Sequence, residues 1–87
     1  MTDTGSRPRE LVLYGRYGCH LCEEMRVALD QQREHWDFTI REVDISGDAE
    51  LEQKFGTRVP VLTGNDTEIC FYFLDVEAFR KYFEDSP

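Results

Sequence analysis

The first half of the sequence follows the order strand, helix, strand, and this order constrains the fold more than any other feature. A short apolar run, Leu11–Tyr14, ends at a turn that contains two glycines. Apolar residues recur at helical spacing from Cys19 to about Arg33, and an alternation of period two follows from Trp36 to Ile45. A helix that joins two strands in this way predicts a parallel strand pair with a right-handed crossover.

The second half predicts a helix, a hairpin and a last helix. Asp48 can cap a helix over 49–55, and we expect Gly56 to end that helix in a left-handed conformation. A glycine–asparagine–aspartate turn separates two strand-like runs, so these strands should be antiparallel, and apolar spacing from Asp75 to about Phe83 predicts the last helix. Six aromatic residues are expected in the core: Phe71, Tyr72, Phe73, Phe79, Tyr82 and Phe83. The fold class is therefore α/β, in the order βαβ-α-ββα, with a mixed four-stranded sheet flanked by helices.

The length and charge of the chain limit its domain number and its partners. The 87 residues fit one domain, which we place at 10–87 after a flexible polar lead-in over 1–9. The formal net charge of −8 disfavours binding to nucleic acid and to anionic membranes. The sequence has no apolar run typical of a membrane span or a signal peptide, so we expect a cytoplasmic protein, and we expect it to be a monomer.

Two of the three cysteines, Cys19 and Cys22, lie where the turn after the first strand becomes a helix. Free backbone N–H groups and the helix dipole favour an anion there, so the pKa of Cys19 should fall below its usual value of about 8.5. Cys22 lies one helical turn further, in line with Met25 and Leu29 on the apolar face. We therefore expect Cys19 to be an exposed attacking thiol and Cys22 a buried resolving thiol.

Other interpretations of this pair stay open. The two thiols could be inert, or they could bind a metal or an iron–sulfur cluster shared by two chains. One chain has too few further ligands for a closed zinc site, and we predict no metal. A non-catalytic adaptor is the third alternative. Cys70 lies in an apolar strand, where we expect a buried structural residue rather than a third redox thiol.

The segment Leu13–Cys22, followed by Arg58, Val59 and Pro60, resembles glutaredoxins of the thioredoxin superfamily over residues 10 to 84. The resemblance implies a thioredoxin fold and a thiol–disulfide oxidoreductase that acts on protein or low-molecular-weight disulfides. It also implies a cis peptide bond between Val59 and Pro60. In that family the proline packs against the cysteine pair, and the backbone of the preceding residue hydrogen-bonds a thiol substrate.

The resemblance also suggests substrate contacts and partners. Arg16 stands where glutaredoxins carry a basic residue that helps to hold the glutathione carboxylate, and His20 replaces the proline usual after the first cysteine. With Val59 and Pro60, these two residues are the candidate substrate-binding residues. No tightly bound cofactor is expected. The expected partners are a disulfide-bearing protein or small thiol substrate and a reductant, which is either glutathione or a thioredoxin-reductase-type system.

One departure from the glutaredoxin pattern bears on glutathione. Glutaredoxins usually carry a glycine pair after the hairpin, whereas the hairpin strand here runs Glu68–Phe73 without glycine. Glycine permits the close approach of a peptide ligand to the backbone, and larger side chains obstruct it. The sequence therefore predicts the redox chemistry more firmly than the binding of glutathione.

Overall fold

The structure, a computed structural model, describes residues 9–85. Within this range the elements are β1 (Arg9–Gly15), α1 (His20–Gln31), β2 (Phe38–Asp44), α2 (Ala49–Phe55), β3 (Val61–Gly64), β4 (Thr67–Phe71) and α3 (Val76–Asp85). A short 3-10 turn, Gln32–Glu34, follows α1. The predicted order βαβ-α-ββα is confirmed. None of these helices combines the length and the apolar character needed to cross a membrane.

The four strands form one mixed sheet in the order β2-β1-β3-β4. β1 is parallel to β2 and antiparallel to β3, and β4 is antiparallel to β3. The predicted parallel pair and the predicted hairpin are thus both confirmed. Because Tyr14 pairs with Val61, the end of β1 lies beside the start of β3. The cysteine pair and the segment before β3 therefore lie at one edge of the sheet.

Apolar side chains cover both faces of the sheet. Ile40 of β2 packs on a cluster that α1 and α3 share with the sheet: Leu11, Leu13, Met25, Leu29, Phe38, Leu62, Cys70, Phe79 and Phe83. Ile45, just after β2, packs with Phe55 of α2 and Val61 in a second, smaller cluster. Helices on both faces bury both sets of side chains, which is the usual solution for a sheet of this kind.

Arg9 belongs to the folded domain. Arg9, assigned to the lead-in, is the first residue of β1, because its N–H donates to the Asp37 carbonyl over 3.3 Å. Its guanidinium lies over the rings of Tyr82 and Phe83, 5.6 and 5.3 Å from their centroids. These contacts add Arg9 to the folded unit. The rest of the predicted lead-in, residues 1–8, lies outside the described residues.

The cap predicted for α2 is confirmed, but its predicted ending is wrong. The Asp48 carboxylate accepts hydrogen bonds from the backbone N–H groups of Glu50 and Leu51, each over 3.1 Å. Gly56 has a φ of −55°, in the right-handed region, rather than a left-handed conformation. The chain continues from the helix into a turn in which the N–H of Arg58 donates to the carbonyl of residue 55. A left-handed residue is therefore not needed.

The predicted aromatic core is correct for α3 and wrong for the end of β4. Phe79 and Phe83 are buried, whereas Phe71, Tyr72 and Phe73 are exposed. Phe71 is the last residue of β4 and lies on the face opposite to buried Cys70, and the chain turns at Tyr72, whose φ is +71°. Beyond the last strand pairing, the side chains no longer alternate between the two faces of the sheet.

Candidate active site

The cysteine pair lies at the start of α1, as predicted. Cys19 is the N-cap residue, with an extended backbone, and its Sγ accepts the N–H of Cys22 over 3.1 Å. The two residues form a disulfide, with their Cα atoms 5.2 Å apart. This separation is in the usual range for a disulfide. The structure therefore brings the two predicted catalytic residues into direct reach of each other.

Cys19 and Cys22 are both half-buried, so the predicted contrast between an exposed and a buried thiol is wrong. The two cysteines still differ, because Cys22 lies against the end of β1. A Cβ atom on Gly15 would come within 2.7 Å of the Cys22 Sγ. Gly15 therefore supplies the space that the second sulfur needs.

A cavity of about 200 Å³ lies next to Cys22, between the ends of β1 and β2. Arg16, Tyr17 and Asp44 are among the residues that line it. The Asp44 carboxylate accepts the backbone N–H of Ser46 over 2.9 Å, and this hydrogen bond is the main reason why the pKa of Asp44 is lowered. An ionised carboxylate therefore borders the same cavity as Cys22.

Arg16 is held by α2. Its guanidinium makes two hydrogen bonds of 2.5 and 2.7 Å to the Glu52 carboxylate and a third, of 3.0 Å, to the carbonyl of Gly56. The hydrogen bonds between the two side chains are the main cause of the raised pKa of Arg16 and the lowered pKa of Glu52. The predicted contact of Arg16 with a glutathione carboxylate stays a prediction. The structure shows that Arg16 links the loop before Cys19 to the helix α2 by hydrogen bonds.

The Arg16–Glu52 pair predicts a specific dependence of stability on pH. Because the pKa of Glu52 in the folded protein lies below its ordinary value of 4.5, its stabilising contribution is present above that value and is lost as the pH falls through the lowered pKa. We expect Glu52→Gln to reduce stability near neutral pH and to weaken the loss of stability in acid. Urea unfolding of wild type and variant from about pH 7 to about pH 3 measures both effects.

The matched control is Glu34→Gln, which makes the same change at an exposed position of the 3-10 turn. The Arg16–Glu52 pair is intact in this variant, so the loss of stability that the pair causes in acid should remain. Parallel stability curves for Glu52→Gln and wild type across the acid range would contradict the role given to this ion pair.

The structure places His20 on the outer surface of α1. Its Nε2 atom lies 2.9 Å from the Glu24 carboxylate, and 84% of its side chain is exposed. The predicted role of His20 in substrate binding stays a prediction. Its neighbours Tyr17 and Leu21 are also exposed, the former almost completely. The sequence signal for this apolar surface is the presence of large side chains immediately before and within the cysteine motif.

The peptide bond between Val59 and Pro60 is cis. Pro60 is completely buried, and Val59 is half-buried against the cluster under α2. Val61, the residue after Pro60, pairs with Tyr14, so Pro60 lies beside Gly15. Gly15 in turn adjoins Cys22. Topology thus brings this proline and the cysteine pair to the same edge of the sheet.

Cys70 is a core residue, which confirms the structural interpretation. It is 8% exposed and belongs to the larger cluster, and this burial raises the pKa of its thiol. Among residues 9–85, no group of three or more His, Cys, Asp or Glu side chains is arranged to hold a metal ion.

Tyr72 is part of the site region, although the sequence pattern placed it in the core. Its N–H donates to the Pro60 carbonyl over 2.8 Å, and its hydroxyl donates to the Thr57 carbonyl over 2.7 Å. Both acceptors belong to the segment that leads into β3. Residue propensity disfavours a positive φ for tyrosine, so the sequence pattern does not indicate this arrangement.

Comparison with known proteins agrees with this architecture. The Glutaredoxin-like domain (DUF836) family matches residues 10–84. Protein Ne2328 from Nitrosomonas europaea is 42% identical, with 94% of this chain and 98% of that chain covered and a TM-score of 0.80. For protein XcR50 from X. campestris the identity is 35%, the coverage 88% and 99%, and the TM-score 0.71. The E. coli glutaredoxin is 28% identical, with 88% of this chain and 99% of that chain covered and a TM-score of 0.55.

No curated protein matches the sequence. The family match nevertheless spans the domain from β1 to α3, and the solved glutaredoxin covers the same architecture. The predicted thioredoxin fold is thereby confirmed. The chain belongs to the family of glutaredoxin-like domains within the thioredoxin superfamily.

Proposed function

We propose that the protein is a thiol–disulfide oxidoreductase in which Cys19 attacks a substrate disulfide and Cys22 resolves the intermediate. One observation carries this proposal: the Cys19 sulfur sits at the N-cap of α1, accepts a backbone N–H and lies within disulfide reach of Cys22. Unpaired N–H groups and the positive end of the helix dipole stabilise a thiolate at that position. The thiolate is the nucleophilic form of cysteine.

The first step consumes a substrate disulfide. The Cys19 thiolate attacks one sulfur of the substrate, a new S–S bond forms between them, and the other substrate sulfur leaves as a thiolate that takes up a proton. No electrons leave the system in this step, because one disulfide is exchanged for another. The product is a mixed disulfide between Cys19 and the substrate.

The second step releases the product. Cys22 loses its thiol proton and attacks the Sγ of Cys19, which forms the intramolecular disulfide and frees the second substrate sulfur as a thiol. The Cα separation of 5.2 Å is the geometry of that end state. The substrate has then gained two electrons and two protons, and the cysteine pair has lost them. A thiol reductant, either glutathione or a thioredoxin-reductase-type system, restores the dithiol.

The surroundings of the pair favour a protein disulfide as the substrate. Arg16, the candidate for holding a glutathione carboxylate, already makes three hydrogen bonds to Glu52 and Gly56, and its charge is paired with the Glu52 carboxylate. Exposed apolar side chains lie before and within the cysteine motif, at Tyr17 and Leu21. Such surface suits contact with another polypeptide better than contact with a small charged peptide. In this proposal His20, Val59 and Pro60 border the bound substrate.

Trapping the mixed disulfide tests the proposal. The variant Cys22→Ser removes the resolving thiol, so an adduct should accumulate on Cys19. We expect peptide mapping by mass spectrometry to find this adduct after exposure to a disulfide-bonded protein such as insulin, and less of it after exposure to glutathione disulfide. The double variant Cys19→Ser, Cys22→Ser is the control for labelling at Cys70. An unmodified Cys19 after exposure to both disulfides would overturn the proposed function.

A further inference from the structure

Tyr72 has an unusual backbone conformation for its size. Among residues 9–85, three residues other than glycine have a positive φ: Asn65, Asp66 and Tyr72. The first two form the tight hairpin turn, where their residue types are common. A bulky aromatic residue in the left-handed region is an outlier that persists only where its surroundings hold it, and such outliers cluster at functional sites.

Two hydrogen bonds hold Tyr72 to the segment 57–60, which connects α2 to β3. The backbone N–H of Tyr72 donates to the carbonyl at the end of this segment, on Pro60, over 2.8 Å. The phenol hydroxyl donates to the carbonyl at its beginning, on Thr57, over 2.7 Å. One residue thus binds both ends of the segment.

The ring of Tyr72 is itself supported. Phe71 packs edge-on against it, with ring centroids 5.0 Å apart, and the Arg58 guanidinium lies over the Phe71 ring at 5.5 Å. Arg58 also forms an ion pair with Glu68 on β4, over 2.5 Å. The segment 57–60 is therefore fastened to the hairpin by aromatic, cationic and hydrogen-bonding contacts.

The fastened segment is the one that lies beside the cysteine pair. It contains Val59 and Pro60, and the β1–β3 register sets Pro60 next to Gly15, against which the sulfur of Cys22 lies. A substrate disulfide that reaches Cys19 must pass close to this edge. Movement of the segment would alter the surface on which the substrate rests.

We propose that Tyr72 is a positioning residue for thiol–disulfide exchange, which fixes segment 57–60 in the conformation that receives the substrate. This inference rests on the proposed function. Tyr72 acts through the segment and touches no reacting atom. When the binding surface is already ordered, the binding step does not bear the entropy cost of ordering it. Loss of the Tyr72 contacts should therefore weaken substrate binding more than it slows the sulfur chemistry.

The variant Tyr72→Phe removes the hydroxyl and keeps the ring. Loss of a single neutral hydrogen bond corresponds to about a three- to tenfold change in an equilibrium. We expect the KM for insulin to rise about three- to tenfold, with kcat within about twofold of wild type. The alkylation rate of reduced Cys19 by iodoacetamide should stay unchanged, because the start of α1 is not altered. Tyr72→Gly, which adopts a positive φ freely but lacks both ring and hydroxyl, should raise KM further.

Tyr82→Phe is the matched control, since it removes a phenol hydroxyl beside Gly64, at the opposite end of β3. Its KM should equal that of wild type. An unchanged KM in both Tyr72 variants would overturn the positioning role, and so would a fall in kcat together with slower Cys19 alkylation. A wild-type protein that reduces neither insulin nor glutathione disulfide would instead overturn the proposed function itself.

Discussion

Replacement of Cys19 by serine is expected to abolish disulfide reduction, lowering kcat/KM by at least about a thousandfold. A serine hydroxyl at the N-cap of α1 can still accept the hydrogen bond that the Cys19 sulfur now accepts from Cys22. The fold should therefore survive. The hydroxyl is neutral at physiological pH, however, and it cannot form the S–S bond on which the proposed reaction depends. Insulin reduction in the presence of a dithiol reductant measures the loss.

Two matched variants separate this effect from general damage. Cys70→Ala removes the buried third thiol and should keep most of the activity, because Cys70 lies in the core rather than at the helix start. Cys22→Ser keeps the attacking thiol and should still form the mixed disulfide, though it cannot complete the dithiol cycle. A Cys19→Ser protein that retains activity within about tenfold of wild type would contradict the assignment of Cys19 as the nucleophile.

The elements of the fold were predictable because each rests on a local pattern. The helix α2 begins after its cap Asp48, and α3 begins after Asp75, whose carboxylate accepts the N–H of Ala78 over 3.1 Å. Caps of this kind depend on residues two or three apart in the sequence, so one segment contains the whole signal. The short link between β3 and β4 determined the antiparallel hairpin in the same way. The cysteine motif was predicted at the start of α1 because the turn and the helical spacing also lie in one segment.

The parts of the site that were not predicted depend on partners far apart in the sequence. Arg16 pairs with Glu52, 36 residues away, and nothing in either segment specifies the other. Tyr72 reaches Thr57, 15 residues earlier, from a backbone conformation that propensity disfavours. The burial of the cysteines was also missed, because helical spacing gives the direction of a side chain and not the cover that a neighbouring strand supplies.

Phe79→Ala is expected to cause the largest loss of stability, about 3–5 kcal/mol in the free energy of unfolding. Phe79 is completely buried on α3. Its ring packs edge-on against Phe38 of β2, with centroids 5.5 Å apart, and against Phe83 at 5.0 Å. Alanine would remove both ring contacts and leave a cavity between α3 and the sheet. Small domains unfold with a total of about 5–15 kcal/mol, so the variant should be close to unfolding at physiological temperature.

The comparison with Phe73→Ala shows whether burial, rather than the loss of any phenylalanine, causes this effect. Phe73 is 68% exposed beyond the end of β4, and its replacement should change stability by less than about 1 kcal/mol. Urea unfolding with a common m-value gives both differences. A loss below about 1 kcal/mol for Phe79→Ala would contradict the core described here. A full loss would show that the packing of α3 on the face of the sheet shared with α1 contributes a large part of the stability of the domain.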